Sequence, residues 1–292
     1  MLPSLYSGIS GLKANQQKLN VVANNIANST TTGFKTQSMN FEDTLSQNLS
    51  DPSAPVDGGL GGINPKQSGL GVKISGINTD FSEGSPQTTN RKLDFMIDKS
   101  GSYFVVSLDG TEDSYTRDGA FVLDADGNLL TQDGYHVMGY NQDTVGNNEK
   151  PATELSIKQY YSGDYTGANT GDENDKVTSY SIGADGIITV KTKGEKSWKA
   201  GRIALASFTN EGGLLKQGNN LYSDSTNSGN PIYGTAGTSA YGKIISGSLE
   251  MSNVDLAQQF TDMIVASRAF EANGKIITTD DEILQDLVNL KR

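Results

Sequence analysis

The stretch LYSGISGLKANQQKLNVVANNIAN, residues 5–28, decides the fold at one end of this chain. Its large apolar residues recur at alternating steps of four and three, with Gln16 and Ala23 filling the two remaining places. A four-three repeat is typical of a helix that packs in a coiled coil. We therefore predict a helix from about residue 4 to residue 28, roughly 37 Å long. Its packing seam consists of Leu5, Ile9, Leu12, Leu19 and Ile26, widened by Val22.

The other end of the chain repeats this pattern and predicts a second helix over about residues 254–290. Ser252 with Asp255 fits a capping box at its start. Gly274 lowers the helix propensity, so a kink or break is left open there. The seam runs through Leu256, Phe260, Met263, Ser267, Phe270, Gly274, Ile277, Asp281, Leu284 and Val288.

The middle of the chain has the pattern of an antiparallel β domain. The dipeptide Asp-Gly, which favours tight hairpin turns, occurs six times, mostly between short apolar runs. These runs predict strands at about residues 103–108, 120–123, 128–131, 135–140, 187–191 and 201–209. Residues 50–71 are rich in Gly and Pro and lack periodicity, which indicates an extended arm. Residues 141–175 are polar and suit a small outer insertion.

The predicted fold class is therefore α+β. Residues 1–32 and 251–292 form a terminal, coiled-coil-like helical core. Residues 33–70 form a connecting arm, residues 71–140 and 176–250 an all-β middle domain, and residues 141–175 its outer insertion.

Composition excludes several classes of protein. With 23 Lys plus Arg against 34 Asp plus Glu, the formal net charge is −11, which argues against non-specific nucleic-acid binding. Cysteine is absent, which excludes disulfides and thiolate chemistry. No apolar stretch approaches the roughly 18–20 residues of a membrane span. The first residues lack the basic and apolar blocks of a secretory signal, so we expect neither membrane insertion nor that export route.

Candidate catalytic and metal-binding residues are few. Asp124, Asp126 and Asn128 have the first spacings of a calcium loop, but Leu129 and Tyr135 replace its essential glycine and glutamate, so a hairpin turn is predicted instead. Gly58, Gly59, Gly61 and Gly62 lack the Lys-Ser/Thr of a phosphate loop and indicate a linker. His136 lies near Asp133, but no nucleophile-elbow sequence accompanies it. We expect no enzyme activity, cofactor or metal.

The two seams point instead to self-assembly. Helices whose apolar stripes cannot be buried by a β domain with its own core need each other and neighbouring copies. When such a contact repeats from copy to copy without closing into a ring, the copies form a helical filament. A structural polymer is therefore favoured over an enzyme.

Several ordered motifs resemble those of the bacterial flagellar rod and hook proteins. Leu5 to Leu12 is similar to their N-terminal signature, as are Asn24, Asn25 and Asn28 in Val22 to Asn28, and Gly33, Phe34 and Lys35 in Thr32 to Lys35. At the other end, Ser252, Asn253, Val254 and Asp255 within Gly247 to Asp255, followed by Asp262 to Asn273, resemble the family's C-terminal helix. Tyr103 to Val106 and Tyr115 to Phe121 resemble its shared β domain.

The resemblance implies an axial component of the flagellum, exported by the flagellar type III apparatus and polymerised into a hollow tube. It implies as partners further copies of the chain, the distal rod, the hook cap and the hook–filament junction proteins, with a location in the basal body or hook, outside the cell after export. Within the family we favour the bendable hook, a universal joint between rod and filament, because residues 139–140 and 284–290 resemble hook sequences. The alternatives are the rigid distal rod and, from a different class, a coiled-coil fibre or adhesin.

Overall fold

The computed structural model describes residues 2–55, 62–125, 127–140, 150–151, 153–157, 177–192 and 197–290. Helix α1 spans Leu2–Ala27 and helix α2 spans Leu256–Leu290. The first strands are β1 (Gln37–Asp43), β2 (Ser46–Ser50), β3 (Lys66–Gly69), β4 (Val72–Thr79), β5 (Pro86–Thr88), β6 (Phe95–Ile97), β7 (Ser102–Ser107), β8 (Asp113–Thr116), β9 (Val122–Leu123) and β10 (Leu129–Leu130). The others are β11 (His136–Tyr140), β12 (Thr153–Glu154), β13 (Val177–Ile182), β14 (Ile187–Thr192), β15 (Ser197–Ser207), β16 (Leu215–Gly218), β17 (Leu221–Ser223), β18 (Ile232–Thr235), β19 (Ile244–Ser246) and β20 (Ser248–Glu250). The predicted α+β class is confirmed.

The chain divides into two compact units. Met1–Ala27, Gln37–Asp80 and Val254–Arg292 form one of them, which we call the helix–ribbon unit. Asn28–Thr36 and Phe81–Asn253 form the other, the β unit. The chain therefore passes four times from one unit to the other.

Helices α1 and α2 pair antiparallel in the helix–ribbon unit. Ser4 Oγ donates to Asp280 Oδ2 at 2.7 Å, whereas Lys18 Nζ lies 3.4 Å from Asp262 Oδ1. Early residues of α1 thus meet late residues of α2. Helix α2 continues through Gly274 without the break that the sequence left open.

Helix α2 begins beside Asp255. Asp255 Oδ1 accepts hydrogen bonds from the backbone N–H groups of Ala257 and Gln258, at 2.9 and 3.3 Å. Asp255 is therefore the N-cap residue. The predicted capping box, which gave that position to Ser252, needs correction, because a cap bonds the N–H groups two and three residues further along the chain.

Residues 37–55 and 62–79 form a two-stranded ribbon in place of an arm without secondary structure. β1 pairs with β4, β2 pairs with β3, and Ser53 bridges to Ile63. β1 and β4 contact α1, so the ribbon belongs with the helices. The predicted boundary between residues 70 and 71 falls inside this ribbon. Residues 33–36, predicted as the start of the arm, lie in the β unit. Gly58, Gly59 and Gly61 lie outside the described residues.

Gly71 lets the ribbon approach α1 closely. Its φ of +123° is rarely adopted by other residues, and an added Cβ would lie 2.3 Å from Ser10 Oγ. We expect Gly71→Ala to destabilise the helix–ribbon unit by about 1–3 kcal/mol. Gly69→Ala, a matched control with nothing within 4 Å of the added Cβ, should change stability little. Urea unfolding followed by far-UV circular dichroism measures both, and equal effects would contradict the assigned close approach.

The β unit is built on one antiparallel sheet with a core on each face. Its main strand order is β13-β14-β15-β11-β7-β8-β17-β16. On β7, Phe104 and Val106 face one core while Tyr103 and Val105 face the other, as the two-residue period of a strand requires. The predicted strands are all present, with ends shifted by up to four residues.

Two sequence interpretations fall partly on residues outside those described. Asp124 and Asn128 form the ends of a turn between β9 and β10, since Asn128 N donates to Asp124 Oδ1 at 2.8 Å. That confirms the hairpin, although Asp126 itself lies outside the described residues. Of the predicted insertion 141–175, residues 150–151 and 153–157 are described, and β12 pairs there with β11. The remainder also lies outside.

Candidate functional site

The predicted seam residues differ in how far they are buried within one chain. Val22 is buried, while Ile9 and Phe260 are 41% and 50% exposed. The half-buried residues are Leu5, Leu12, Leu19, Ile26, Met263, Phe270, Ile277 and Leu284, and Leu256 and Val288 are also exposed. Of the thirteen apolar seam residues, four are thus exposed in a single subunit, eight are half-buried and one is buried.

The face by which α1 and α2 meet lies one residue before the predicted seam. On α1 it includes Gly8, Gly11 and Asn25, and on α2 Gln259 and Ala266, all of them buried. A Cβ on Gly11 would lie 3.0 Å from the Asn273 side chain, so the helices approach closely here. One residue turns a helix by about 100°. Small and amide residues therefore line the closest approach of the two helices.

Exposed apolar side chains are concentrated in the helix–ribbon unit. Among the described residues, only four exposed large apolar side chains belong to the β unit: Leu108, Leu215, Ile232 and Ile245. Those of the helix–ribbon unit are Tyr6, Ile9, Phe41, Leu45, Leu49, Ile63, Leu70, Ile74, Ile77, Leu256, Phe260, Ile264, Val265, Ile276, Ile283, Leu287, Val288 and Leu290. Exposed apolar patches are typical of protein–protein or membrane contacts and of ligand-binding grooves.

Asn25 forms the centre of a buried amide cluster in the helix–ribbon unit. Its side chain is fully buried and is bonded twice to Gln37 at the start of β1. Nδ2 donates to Gln37 O at 2.7 Å and Oδ1 accepts from Gln37 N at 3.0 Å. Nδ2 also donates to Gln259 Oε1 on α2, at 3.0 Å. One amide thus joins α1, the ribbon and α2.

Removing the side-chain amide of Asn25 should destabilise the helix–ribbon unit. Asn25→Ala leaves the buried Gln259 side chain and the Gln37 backbone without these partners, and we expect a loss of about 3 kcal/mol of unfolding free energy. Asn20→Ala, on an exposed position of the same helix, is the matched control and should stay within about 0.5 kcal/mol of the wild type. Far-UV circular dichroism in urea measures both changes. Similar losses for the two variants would argue against the cluster.

Lys35, Arg117 and Glu250 form a second buried cluster, in the β unit, which we call the charged cluster. All three side chains are about 1% exposed. Lys35 Nζ lies 2.7 Å from Glu250 Oε1, and Arg117 Nε lies 2.8 Å from Glu250 Oε2. Gly84 N also donates to Glu250 Oε1, at 3.0 Å. One carboxylate therefore faces two cations and a backbone N–H.

Burial and pairing oppose each other in this cluster. Burial alone would raise the pKa of Glu250, but the charges of Arg117 and Lys35 outweigh it and hold that pKa below its usual value. Burial lowers the pKa of Lys35, and the nearby Glu250 opposes this change. Glu250 is therefore the anion on which the buried cations depend.

Gly33 and Phe34, which precede Lys35, also pack closely within the β unit. Gly33 has a φ of +67°, and an added Cβ would lie 2.8 Å from Asp118 N. Gly33 N donates to Glu250 O at 2.8 Å. The Phe34 ring is buried, with Lys216 Nζ 5.0 Å from its centroid. The Gly-Phe-Lys motif is therefore an anchor of the chain in the β unit.

The structure brings some of the singled-out motif residues together and leaves others apart. Asn25 belongs to the amide cluster and Lys35 to the charged cluster. Asn24 is exposed, and Asn28, Ser252 and Val254 are half-buried. Sequence reasoning missed Arg117, Glu250 and Gln259 as site residues. Arg117 and Glu250 lie within stretches that resemble the family. A charged residue within a run that is otherwise typical of a buried strand is the sequence signal that could have identified them.

His136 shows no catalytic arrangement in the part of the chain that the structure describes. Its Nδ1 lies 3.5 Å from Glu154 Oε2 and has no hydrogen-bond partner among the described residues. Within those same residues, no three His, Cys, Asp or Glu side chains are grouped so as to hold a metal ion. None of the described helices is long and apolar enough to cross a membrane.

Three family profiles match the chain in order. Residues 5–35 match "Flagella basal body rod protein", residues 96–190 match "Flagellar hook protein FlgE/F/G D1 domain", and residues 245–290 match "Flagellar basal body rod FlgEFG protein C-terminal". The flagellar basal-body rod protein FlgG of Bacillus subtilis (strain 168) is 44% identical over 293 residues, covering all of both chains. The chain belongs to the flagellar rod and hook protein family.

Other relatives come from both branches of the rod and hook family. FlgG of Borreliella burgdorferi is 33% identical over 293 residues. The flagellar hook protein FlgE of the same organism is 29% identical over an alignment of 444 residues. Both alignments cover all of this chain and of the relative. The predicted family membership is therefore confirmed, and the chain is a structural flagellar protein.

The charged cluster takes one residue from each of the three rod and hook family matches. Lys35 ends the first match, Arg117 lies in the second, and Glu250 lies near the start of the third. The three matched segments are thus joined in the folded chain by this cluster.

Proposed function

We propose that this protein is a subunit of the distal rod of the bacterial flagellum, a rigid drive shaft between the motor and the hook. The observation that carries this proposal is the alignment with the rod protein of B. subtilis, at 44% identity over 293 residues. The hook proteins of B. burgdorferi and Treponema pallidum need alignments of 444 and 469 residues at 29% and 27% identity. The rod alternative thus fits better than the hook that the sequence motifs favoured.

In this proposal the subunits form a hollow helical polymer, and the helix–ribbon unit supplies most of the contacts between copies. The exposed apolar side chains of that unit support this assignment, because neighbouring copies would cover them. The predicted seam residues would meet other subunits in a coiled-coil-like core. Further partners would be the hook above the rod and the flagellar type III apparatus that exports the chain, which would place the protein in the basal body.

Electron microscopy of basal bodies from a strain deleted for this gene tests the proposal. We expect a truncated rod that lacks both its distal part and the hook. A complete rod without a hook would overturn the proposal in favour of the hook, and intact flagella would exclude both. Restoring the gene on a plasmid should restore the full rod.

A further inference from the structure

Three of the four passages between the units leave the β unit close to the charged cluster. The chain changes unit at residues 27/28, 36/37, 80/81 and 253/254. Within the β unit, Lys35 and Thr36 lie beside the passage at 36/37, and Ser82 lies beside the passage at 80/81. Glu250 and Asn253 lie beside the passage at 253/254. These residues belong to segments that are far apart in sequence.

Side chains within the β unit join these three segments directly. Lys35 Nζ donates to Ser82 O at 2.6 Å and to Glu250 Oε1 at 2.7 Å, so one ammonium group touches all three segments. Asn253 repeats the arrangement with an amide. Its Oδ1 accepts from Thr36 N at 2.8 Å and its Nδ2 donates to Ser82 Oγ at 3.1 Å.

Arg117 attaches these segments to the main sheet. It follows β8 directly, and its Nη1 donates to the carbonyl oxygens of Lys99, at 2.8 Å, and of Ser102, the first residue of β7. Its Nε pairs with Glu250. The cluster is therefore held by the two neighbouring strands β7 and β8.

We infer that the charged cluster is a mechanical fastening, which binds three passages of the chain to one another and to the main sheet. A force that reaches the β unit through one passage is then shared by all three, because the same buried Lys35 ammonium group bonds to all three segments. A single segment held only by its own few hydrogen bonds would open locally at a much lower cost. The use of this fastening in carrying torque rests on the proposed function, whereas the fastening itself is a property of the folded subunit.

Amide hydrogen exchange of the purified full-length chain, read by mass spectrometry, tests the inference. Lys35→Met leaves the Arg117–Glu250 pair intact and removes only the group that touches all three segments. We expect exchange to rise about tenfold or more in residues 33–36, 82–85 and 248–253 together, and to stay unchanged in β7. Lys150→Met removes another ion pair of the β unit, with Asp113 at 3.3 Å, and should leave all three segments unchanged.

Two results would overturn the inference. Faster exchange confined to residues 33–36 would show that the segments are held independently. Equal acceleration in β7 would show that the cluster supports the whole unit and has no special part at the passages. Neither result depends on the flagellar role, so the inference and the proposed function can fail separately.

Asn253→Ala provides a second variant that keeps the buried charges, for the case in which Lys35→Met does not fold. It removes the Asn253 side-chain bonds to Thr36 and Ser82, so exchange should rise at residues 36 and 82–85 while residues 33–35 keep their protection. Unchanged exchange at both places would contradict a shared fastening.

Discussion

Glu250→Gln should destabilise the β unit by about 3–5 kcal/mol, because it leaves two buried cations facing a neutral amide. Lys35 and Arg117 are each about 1% exposed, so water cannot replace the lost carboxylate. Urea unfolding of the purified chain measures the loss. Fluorescence of Trp198, the single tryptophan, reports this unit because the residue lies in β15.

Two other variants serve as comparisons, and each should destabilise the β unit less than Glu250→Gln does. Lys35→Met leaves one cation against one anion, a neutral pair, and should cost less than Glu250→Gln. Glu154→Gln alters a carboxylate of the same unit whose side chain is 39% exposed, and should stay within about 0.5 kcal/mol of the wild type. If Lys35→Met were the more damaging of the two cluster variants, the carboxylate would not be the anion on which the cluster depends.

The stability of the β unit should also depend on pH through Glu250. Its pKa in the folded chain lies below the usual value of 4.5. The stability that this group contributes is therefore complete above pH 4.5 and is lost as the pH falls through the lower, folded value. The difference in unfolding free energy between the wild type and Glu250→Gln should accordingly shrink in acid. A constant difference from pH 7 to pH 3 would contradict the assigned direction.

Helices and strands of this chain could be predicted because their signals are local. The four-three pattern located α1 and α2 to within about two residues, and Asp-Gly turns separated the strands of the main sheet. The face by which the helices meet could not be found in this way. Apolar residues define a seam, whereas Gly8, Gly11 and Asn25 contribute through their small size or their hydrogen bonds.

The ribbon and the two buried clusters depend on information that no local pattern contains. All residues of β2 and β3 are exposed, so these strands have no alternation of apolar and polar residues to indicate them. Lys35 and Glu250 are 215 positions apart. Each reads as an ordinary surface charge until the fold brings them within 2.7 Å. The resemblance marked the motifs, but only the structure assigns their physical role.

Phe260→Asp should prevent assembly of the rod while leaving the subunit folded. Phe260 is 50% exposed in the single chain, so the substitution does little to the packing of α2 within the subunit. In the proposed polymer the same position meets a neighbouring copy, where an aspartate would be buried without a partner. The cost recurs at every subunit of the polymer, so even about 2 kcal/mol per contact would prevent growth. Complementation of the deletion strain with the variant, followed by electron microscopy of basal bodies, measures the outcome.

Leu215→Asp is the control that shows whether any new surface charge prevents assembly or only one at the proposed contact. Leu215 is 58% exposed, slightly more than Phe260, but it lies on the β unit, where exposed large apolar residues are sparse among the described residues. We expect this variant to assemble normally. Far-UV circular dichroism of both purified variants should match the wild type, which would confirm that lost assembly does not reflect lost folding. Normal rods with Phe260→Asp would remove Phe260 from the proposed contact surface, and loss of assembly with both variants would mean that copies also meet through the β unit.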